Sequence, residues 1–441
     1  MISYGVKRKI LLRKIFNFNK DLRKVKIKMK KLHLDNENSI LIGHNGKKPV
    51  YCTDNAKHIF VCGTTGSGKT VALSNYIKNA IDKDFPLLII DGKGDTNKNS
   101  LIDIVNKLNY KNKPVYTINL TNIENSNKYN PFLNASPTIA KDMLINMTDW
   151  SEEHYKLNAE RYLQRLIILM HKAKIKLSLK SIVKYMNLDT FTELSAELLK
   201  RKIITKSEHI ENTTIGKTSG KVAENSIARF STIIESELGY IFDDNGIDIY
   251  NALKQNAIII FILNPLIYPE ISQAFGRLIL IDSKKAISKL FQNNYKRTFF
   301  IFDEINVYAS KTLIDLVNKS RSANVTCVLA TQSLSDLASA EDENFTQQII
   351  ENCNNYLVLR QNSAINSENW ANILGTQPTM NVTYQLQQNG FDTIQTGLGS
   401  ARCVREYIYH PDDIKKLQTG KGIFLSRDLN IHSKVNIFKP F

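Results

Sequence analysis

Two short segments carry residue types that bind phosphate and activate water. Gly63-Thr64-Thr65-Gly66-Ser67-Gly68-Lys69-Thr70 fits G-x-x-x-x-G-K-[ST], the phosphate-binding loop. Its glycines let the backbone turn tightly and aim N–H groups at phosphate oxygens, with the positive end of a following helix behind them. Lys69 is expected to reach the β- and γ-phosphates of ATP, and the Thr70 hydroxyl to take one position on Mg²⁺, a hard cation that prefers oxygen. A second Gly-Lys-Thr, Gly216 to Thr218, is a decoy, because Glu211 stands where the first glycine would have to be and no strand precedes it.

Hydrolysis also needs a carboxylate for the metal and another for the water. Asp303 and Glu304 supply both at the end of the apolar run Thr298 to Phe302. Adjacent side chains alternate faces within a strand, but at a strand's end the chain bends and both can approach the phosphates. Asp303 is expected in the Mg²⁺ shell, through water, and Glu304 as the general base. Gln332 and Arg360 also follow apolar runs, where α/β sheets bind ligands. Gln332 is read as a γ-phosphate sensor or a partner of the water, with a helix cap as the plain alternative. Arg321, between a helical stretch and the next strand, is a candidate arginine finger acting on a neighbouring subunit's nucleotide. Asp91-Gly92-Lys93-Gly94-Asp95 ends another strand, and is either a coupling element or a plain tight turn.

The elements that must position these residues are legible as short continuous apolar runs, the pattern of parallel strands buried on both faces. They are Ile59 to Cys62, Leu87 to Asp91, Val115 to Leu120, Ala257 to Leu263, Thr298 to Phe302, Val325 to Ala330 and Asn355 to Leu359. Ser39 to Gly43 and Lys48 to Cys52 read as a lead-in hairpin around His44-Asn45-Gly46. Between Asn134 and about Asn251 the runs give way to helical spacing, such as Tyr162, Leu166, Leu169 and Met170. The class is therefore α/β with a mostly parallel sheet, interrupted by an all-α insert. Lys69 and Asp303 lie 234 residues apart, which agrees, being too far for one or two βα units. The expected domains are a basic tail (1–32), a first nucleotide-binding part (33–133), the insert (134–251) and a second nucleotide-binding part (252–441). Asn212 to Lys221, with two Lys, two Gly and four Ser or Thr, is expected to be a mobile loop.

Composition sets the outer bounds. The 441 residues, 42% hydrophobic and 23% charged, suit a multidomain globular chain. The longest apolar run, Ala257 to Leu263, stops after seven residues, well short of a membrane span, and no secretory signal opens the chain. A cytoplasmic protein, either free or peripheral on the inner face of the membrane, is expected. Five scattered cysteines without a C-x-x-C pair indicate neither a disulfide framework nor a zinc cluster. The net charge of +17 is concentrated in residues 1–32, whose 12 Lys or Arg and single acid give +11. Apolar residues interleave those charges, so the tail suits an anionic membrane surface or nucleic-acid phosphates alike.

The phosphate loop, the Asp91 to Asp95 turn, Tyr-Asn-Pro-Phe at 129–132, the Asp303-Glu304 strand and Leu-Ala-Thr-Gln-Ser at 329–333 together resemble the conjugative type IV coupling proteins. The likeness extends through Asn352 to Gln361, Leu374 to Gln377 and His410 to Gly420, from about Ile40 to Leu425. It implies a RecA-like P-loop NTPase fold around an all-α domain, assembling as a homo-hexamer that moves single-stranded DNA, with its relaxase, towards a type IV secretion channel. It also places Arg321 where that family carries its arginine finger, and Gln332 on the family's glutamine. Typical members begin with transmembrane helices, whereas this chain begins with the basic tail. Two other classes share the core motifs. A HerA- or FtsK-like duplex DNA motor would be favoured by a downstream winged-helix reader, and none fits after Leu425. An ATP-switched adaptor recruiting protein substrates would have no need of Glu304 as a base.

Overall fold

The computed structural model describes residues 39–292, 295–389 and 392–441, and the basic tail read at 1–32 lies outside them. In chain order the strands are β1 (Ser39–Asn45), β2 (Lys48–Thr53), β3 (His58–Cys62), β4 (Leu87–Asp91), β5 (Val115–Asn119), β6 (Ile258–Ile262), β7 (Thr298–Asp303), β8 (Val325–Thr331), β9 (Cys353–Val358), β10 (Thr376–Asn389), β11 (Asp392–Tyr407), β12 (Lys421–Ser426) and β13 (Ile431–Ile437). The chain divides into two compact units. The larger comprises Asp54–Cys62, Lys69–Asn354 and Phe438–Phe441, and the smaller comprises 39–53, Gly63–Gly68 and Asn355–Ile437.

In the larger unit the strands run in the order β3-β8-β7-β4-β6-β5, and every pair is parallel. Continuous apolar sequences such as Ile-Ile-Ile-Phe-Ile in β6 and Thr-Phe-Phe-Ile-Phe-Asp in β7 make this possible, because helices cover both faces of a parallel sheet. All residues of β3, β4, β6, β7 and β8 are buried. The register sets Asp91, at the end of β4, beside Asp303, at the end of β7.

Between β5 and β6 the described residues form no strand. Helices Pro137–Met147, Glu153–Lys172, Leu179–Met186, Leu188–Lys200, Lys206–Ile215, Lys221–Glu235 and Ile249–Lys254 fill that stretch. The chain enters and leaves it side by side: Tyr129 N–H donates to the Ile241 carbonyl and Asn130 N–H to that of Ile247. Buried Lys285, from the helix Pro269–Gln292, donates to the carbonyls of Pro131 (2.6 Å) and Leu133 (3.1 Å), while the Tyr129 hydroxyl donates to Asp282. The 129–132 segment thus serves as an anchor for the helical stretch.

The expected mobile loop at Asn212 to Lys221 is instead helical. Lys206–Ile215 passes through a π turn, Gly216–Gly220, into Lys221–Glu235. Thr205 and Glu208 form a capping box at its start, and the hydroxyls of Thr213, Thr214 and Thr218 donate to carbonyls one turn back. A side chain at Gly220 would come within 2.7 Å of Leu188 and 2.9 Å of Tyr162, so the residue that looks like a breaker permits close packing. The decoy Gly216 to Thr218 lies in that π turn.

In the smaller unit β2-β1-β13-β12-β9 form an antiparallel ladder, with β1 and β2 joined by the expected turn at Gly46. The run Asn355 to Leu359, expected among the parallel strands, pairs antiparallel with β12 here, register Val358 to Ile423. An apolar run reports burial and carries no strand direction. β10 and β11 pair with each other as a separate two-stranded sheet.

Candidate active site

Gly63–Gly68 belongs to the smaller unit and joins β3 to the helix Lys69–Asp82 through the chain. Gly66 (φ 74°) and Gly68 (φ 106°) adopt backbone that disfavours any side chain. The loop is pinned from several directions. Ser67 donates to the Thr64 carbonyl through Oγ (2.6 Å), and Thr64 donates to the Arg360 carbonyl through N (3.1 Å) and Oγ1 (3.2 Å). Thr419 Oγ1 donates to the Gly66 carbonyl (3.0 Å), and Gly420 N to that of Ser67 (3.0 Å). Arg360 therefore meets the loop through its backbone, while its Nε is buried with no hydrogen-bond partner among the described residues. Thr65 and Gly66 are exposed and Ser67 is buried. Thr419 has no sequence signal beyond its place next to the family-like Gly420.

The larger unit brings Lys69, Glu304 and Gln332 together. Lys69 Nζ lies 2.6 Å from Glu304 Oε1, with side chains only 10% and 8% exposed, and Gln332 Nε2 donates to the same oxygen at 3.3 Å. Glu304 leaves β7 in the left-handed region (φ 47°, ψ 54°), an unfavoured conformation for a residue with a side chain, costing about 1–3 kcal/mol. That step ends the strand's alternation, so two consecutive carboxylates both lie within electrostatic reach of Lys69. Burial pushes the Asp303 carboxyl up to about 7; Lys69 opposes this, and Glu304 and Asp91 add to it. Asp303 Oδ1 and Glu304 Oε2 are buried and accept no hydrogen bond among the described residues.

The Asp91 to Asp95 turn, ambiguous in sequence, closes on this pair. Asp91 Oδ1 accepts from the N–H of Lys93 (2.9 Å) and Gly94 (3.2 Å), and burial raises its carboxyl to about 6 against those two bonds. Gly92 N–H donates to the Asp303 carbonyl, and a Cβ at Gly92 would sit 2.8 Å from that oxygen and 2.9 Å from the Glu304 carbonyl. Asp91 thus shapes the turn and Gly92 ties it to the backbone of the acidic pair, which the spacing alone did not reveal.

Arg321 is not part of this cluster. It is exposed and precedes β8, whereas Gln332 follows it, so seven strand residues rising roughly 3.3 Å each separate the two. His58, buried at the start of β3, lies close enough to Arg321 that this charge adds to the lowering of its pKa, which burial dominates.

The donors present fit a magnesium ion. Thr70, second in the helix Lys69–Asp82, and Asp303, with an unengaged buried oxygen, are the hard oxygen ligands such a cation requires. Among the described residues no group of three or more His, Cys, Asp or Glu could hold a metal alone, so phosphate and water oxygens would complete its shell. All five cysteines are free thiols.

A family model described as the type IV secretion-system coupling protein DNA-binding domain matches residues 125–436. Two uncharacterized proteins of Mycoplasma pneumoniae are similar in sequence. One is 31% identical over 104 residues, 24% of this chain and 69% of that protein; the other is 46% identical over 39 residues, 9% of this chain and 32% of that protein. Among solved structures, the chain is similar to the bacterial conjugative coupling protein TrwBdeltaN70 (TM-score 0.66, 15% identity, 94% of this chain and 91% of that one). It is similar also to the plasmid coupling protein TrwB in complex with ADP and Mg²⁺ (TM-score 0.61, 15% identity, 94% and 92%). VirB4 of Thermoanaerobacter pseudethanolicus matches as well (TM-score 0.58, 12% identity, 92% and 97%). These structures share the RecA-like fold built around the phosphate loop.

Proposed function

The chain belongs to the type IV secretion-system coupling protein family, and from that premise we propose that it hydrolyses ATP to move DNA, with a bound relaxase, towards a secretion channel. The observation that carries the reading is the buried Lys69–Glu304–Gln332 cluster at the ends of parallel strands. The Mg²⁺ and ADP bound by TrwB support the choice of ligands.

The Lys69 ammonium pairs with the Glu304 carboxylate. Incoming phosphates offer Lys69 a denser negative charge, so it exchanges partners and releases the carboxylate. Gln332 and the left-handed backbone keep Glu304 aimed, and it takes the proton of the attacking water as general base. Bound Mg²⁺, held by Thr70 and through water by Asp303, would offset charge on the phosphates. Gly63, Thr64, Thr65, Gly66, Ser67 and Gly68 wrap the phosphates through backbone N–H groups. Arg321, remote from its own cluster, acts on the nucleotide of the next subunit in a homo-hexamer. No described helix is long and apolar enough to cross a membrane; the reading places the protein peripherally at the inner face of the membrane, held by its basic tail or a partner.

The test is ATP turnover without DNA, with single-stranded DNA and with duplex across a salt series, using Lys69→Ala as the blank. Stimulation by single-stranded DNA that falls steeply with salt supports the reading. Lys69-dependent turnover indifferent to both DNAs, even with relaxase added, favours an adaptor instead.

A further inference from the structure

The β10–β11 ribbon is the feature that the ATPase reading leaves unexplained. It spans Thr376–Asn389 and Asp392–Tyr407, and the two strands pair only with each other. Its root is fixed: Arg405 donates to Thr376 Oγ1 (2.9 Å) and to the Thr376 carbonyl (3.0 Å), and the Tyr407 hydroxyl donates to Asn372 (3.1 Å). Beyond the root it lacks cover. No residue of 376–383 or 400–407 is fully buried, so neither face of this part is closed over by a core.

An isolated two-stranded ribbon is marginal in water at best. Each strand also leaves roughly half of its backbone N–H and C=O groups facing outward, unpaired among the described residues. Proteins that keep such edges in solution blunt them, most often with lysine. This chain has 59 Lys and Arg, yet residues 376–407 contain no lysine at all. Their charges are Arg402 and Arg405 against Asp392 and Glu406, a net of zero on a chain of +17. Copies of so basic a protein repel one another over most of their surface, and the ribbon is a place where they can meet without that penalty.

We propose that the ribbon is a subunit interface, in which the free edge of β10 in one copy pairs antiparallel with the free edge of β11 in the next. The two edges differ, so each copy offers one and accepts the other, the head-to-tail arrangement that closes into rings. Continued around a ring, this pairing leaves no edge exposed. The inference deepens the proposed ring assembly and rests on it.

The test uses disulfide trapping in the full chain. Cys403 is exposed on β11, while the other four cysteines are buried. In wild type and in Pro378→Cys and Val382→Cys, β10 positions on the same face as Cys403 because Met380 is its register partner, mild oxidation after assembly with nucleotide should give covalent ladders up to the ring in the variants alone. In parallel, Asn381 to Arg402, a register pair, is replaced with everything between them by Asn-Gly. That variant should still bind nucleotide through Lys69 yet sediment as a monomer. Dimers from Cys403 alone would overturn the head-to-tail pairing. A wild-type ring that persists in the shortened variant would overturn the ribbon's role while leaving the assembly intact. A wild type that remains monomeric with nucleotide and DNA would overturn the assembly on which both stand.

Discussion

Replacing Glu304 by Gln separates its two roles, because they shift opposite observables. As a general base it supplies about 10²–10⁴-fold of rate, or about 3–5 kcal/mol. As the buried partner of Lys69, at 2.6 Å with both side chains at most a tenth exposed, it competes with phosphate for the ammonium. Gln keeps a hydrogen bond to the charged ammonium but removes the opposing charge, moving the contact from the top towards the bottom of the about 1.5–3 kcal/mol range for bonds to charged groups, so it weakens the competition by about 1 kcal/mol. Glu304→Gln should therefore lower kcat by two to four orders of magnitude while tightening the Kd of an ATP analogue about fivefold. The assays are phosphate release at saturating ATP and titration of a fluorescent nucleotide. Turnover within tenfold of wild type would rule out Glu304 as the base, and weakened binding alongside the lost turnover would rule out its competition with phosphate for Lys69.

Three other outcomes follow from the same geometry. Gly92→Ala forces a Cβ against the Asp303 and Glu304 carbonyls at 2.8 and 2.9 Å, so urea unfolding should show a loss of about 1–3 kcal/mol together with reduced turnover; stability within about 0.5 kcal/mol of wild type would speak against it. Asp303 holds its proton more tightly folded than unfolded, so its contribution to stability is lost as pH rises from 3.8 through about 7. Nucleotide-free Asp303→Asn should accordingly melt above wild type at pH 8, with the gap closing towards pH 4; a constant gap would contradict the buried, proton-holding site. For Arg321→Ala, mixing with Lys69→Ala subunits should restore part of the turnover, since each supplies what the other lacks, whereas an additive mixture would rule out action in trans.

The candidate site was legible because its parts are local. The Gly63 to Thr70 loop and the Asp303-Glu304 pair are contiguous in sequence, and the apolar runs around them became β3, β4, β5, β6, β7 and β8 within one or two residues of the observed ends. Strand direction and order were not legible. Nothing in Asn355 to Leu359 signals that β9 pairs antiparallel with β12, since partner choice depends on a segment some 60 residues away. The helix over Asn212 to Lys221 was hidden because its Thr and Gly residues have local turn chemistry, overridden by packing on Leu188 and Tyr162. The ribbon was hidden because its polar strands lack the apolar alternation that a core imposes. Glu304's left-handed backbone has no sequence signature, although it decides where the carboxylate points.

A motor driven by the Lys69–Glu304 site is tested most directly by ATP turnover as a function of DNA length at fixed nucleotide concentration of DNA. A translocating ring hydrolyses more ATP per binding event on longer strands, so the rate should climb with length and then level off, and the climb should vanish in Lys69→Ala and in Glu304→Gln. A rate that depends on Lys69 and Glu304 but stays flat across all lengths of single-stranded and duplex DNA would contradict it.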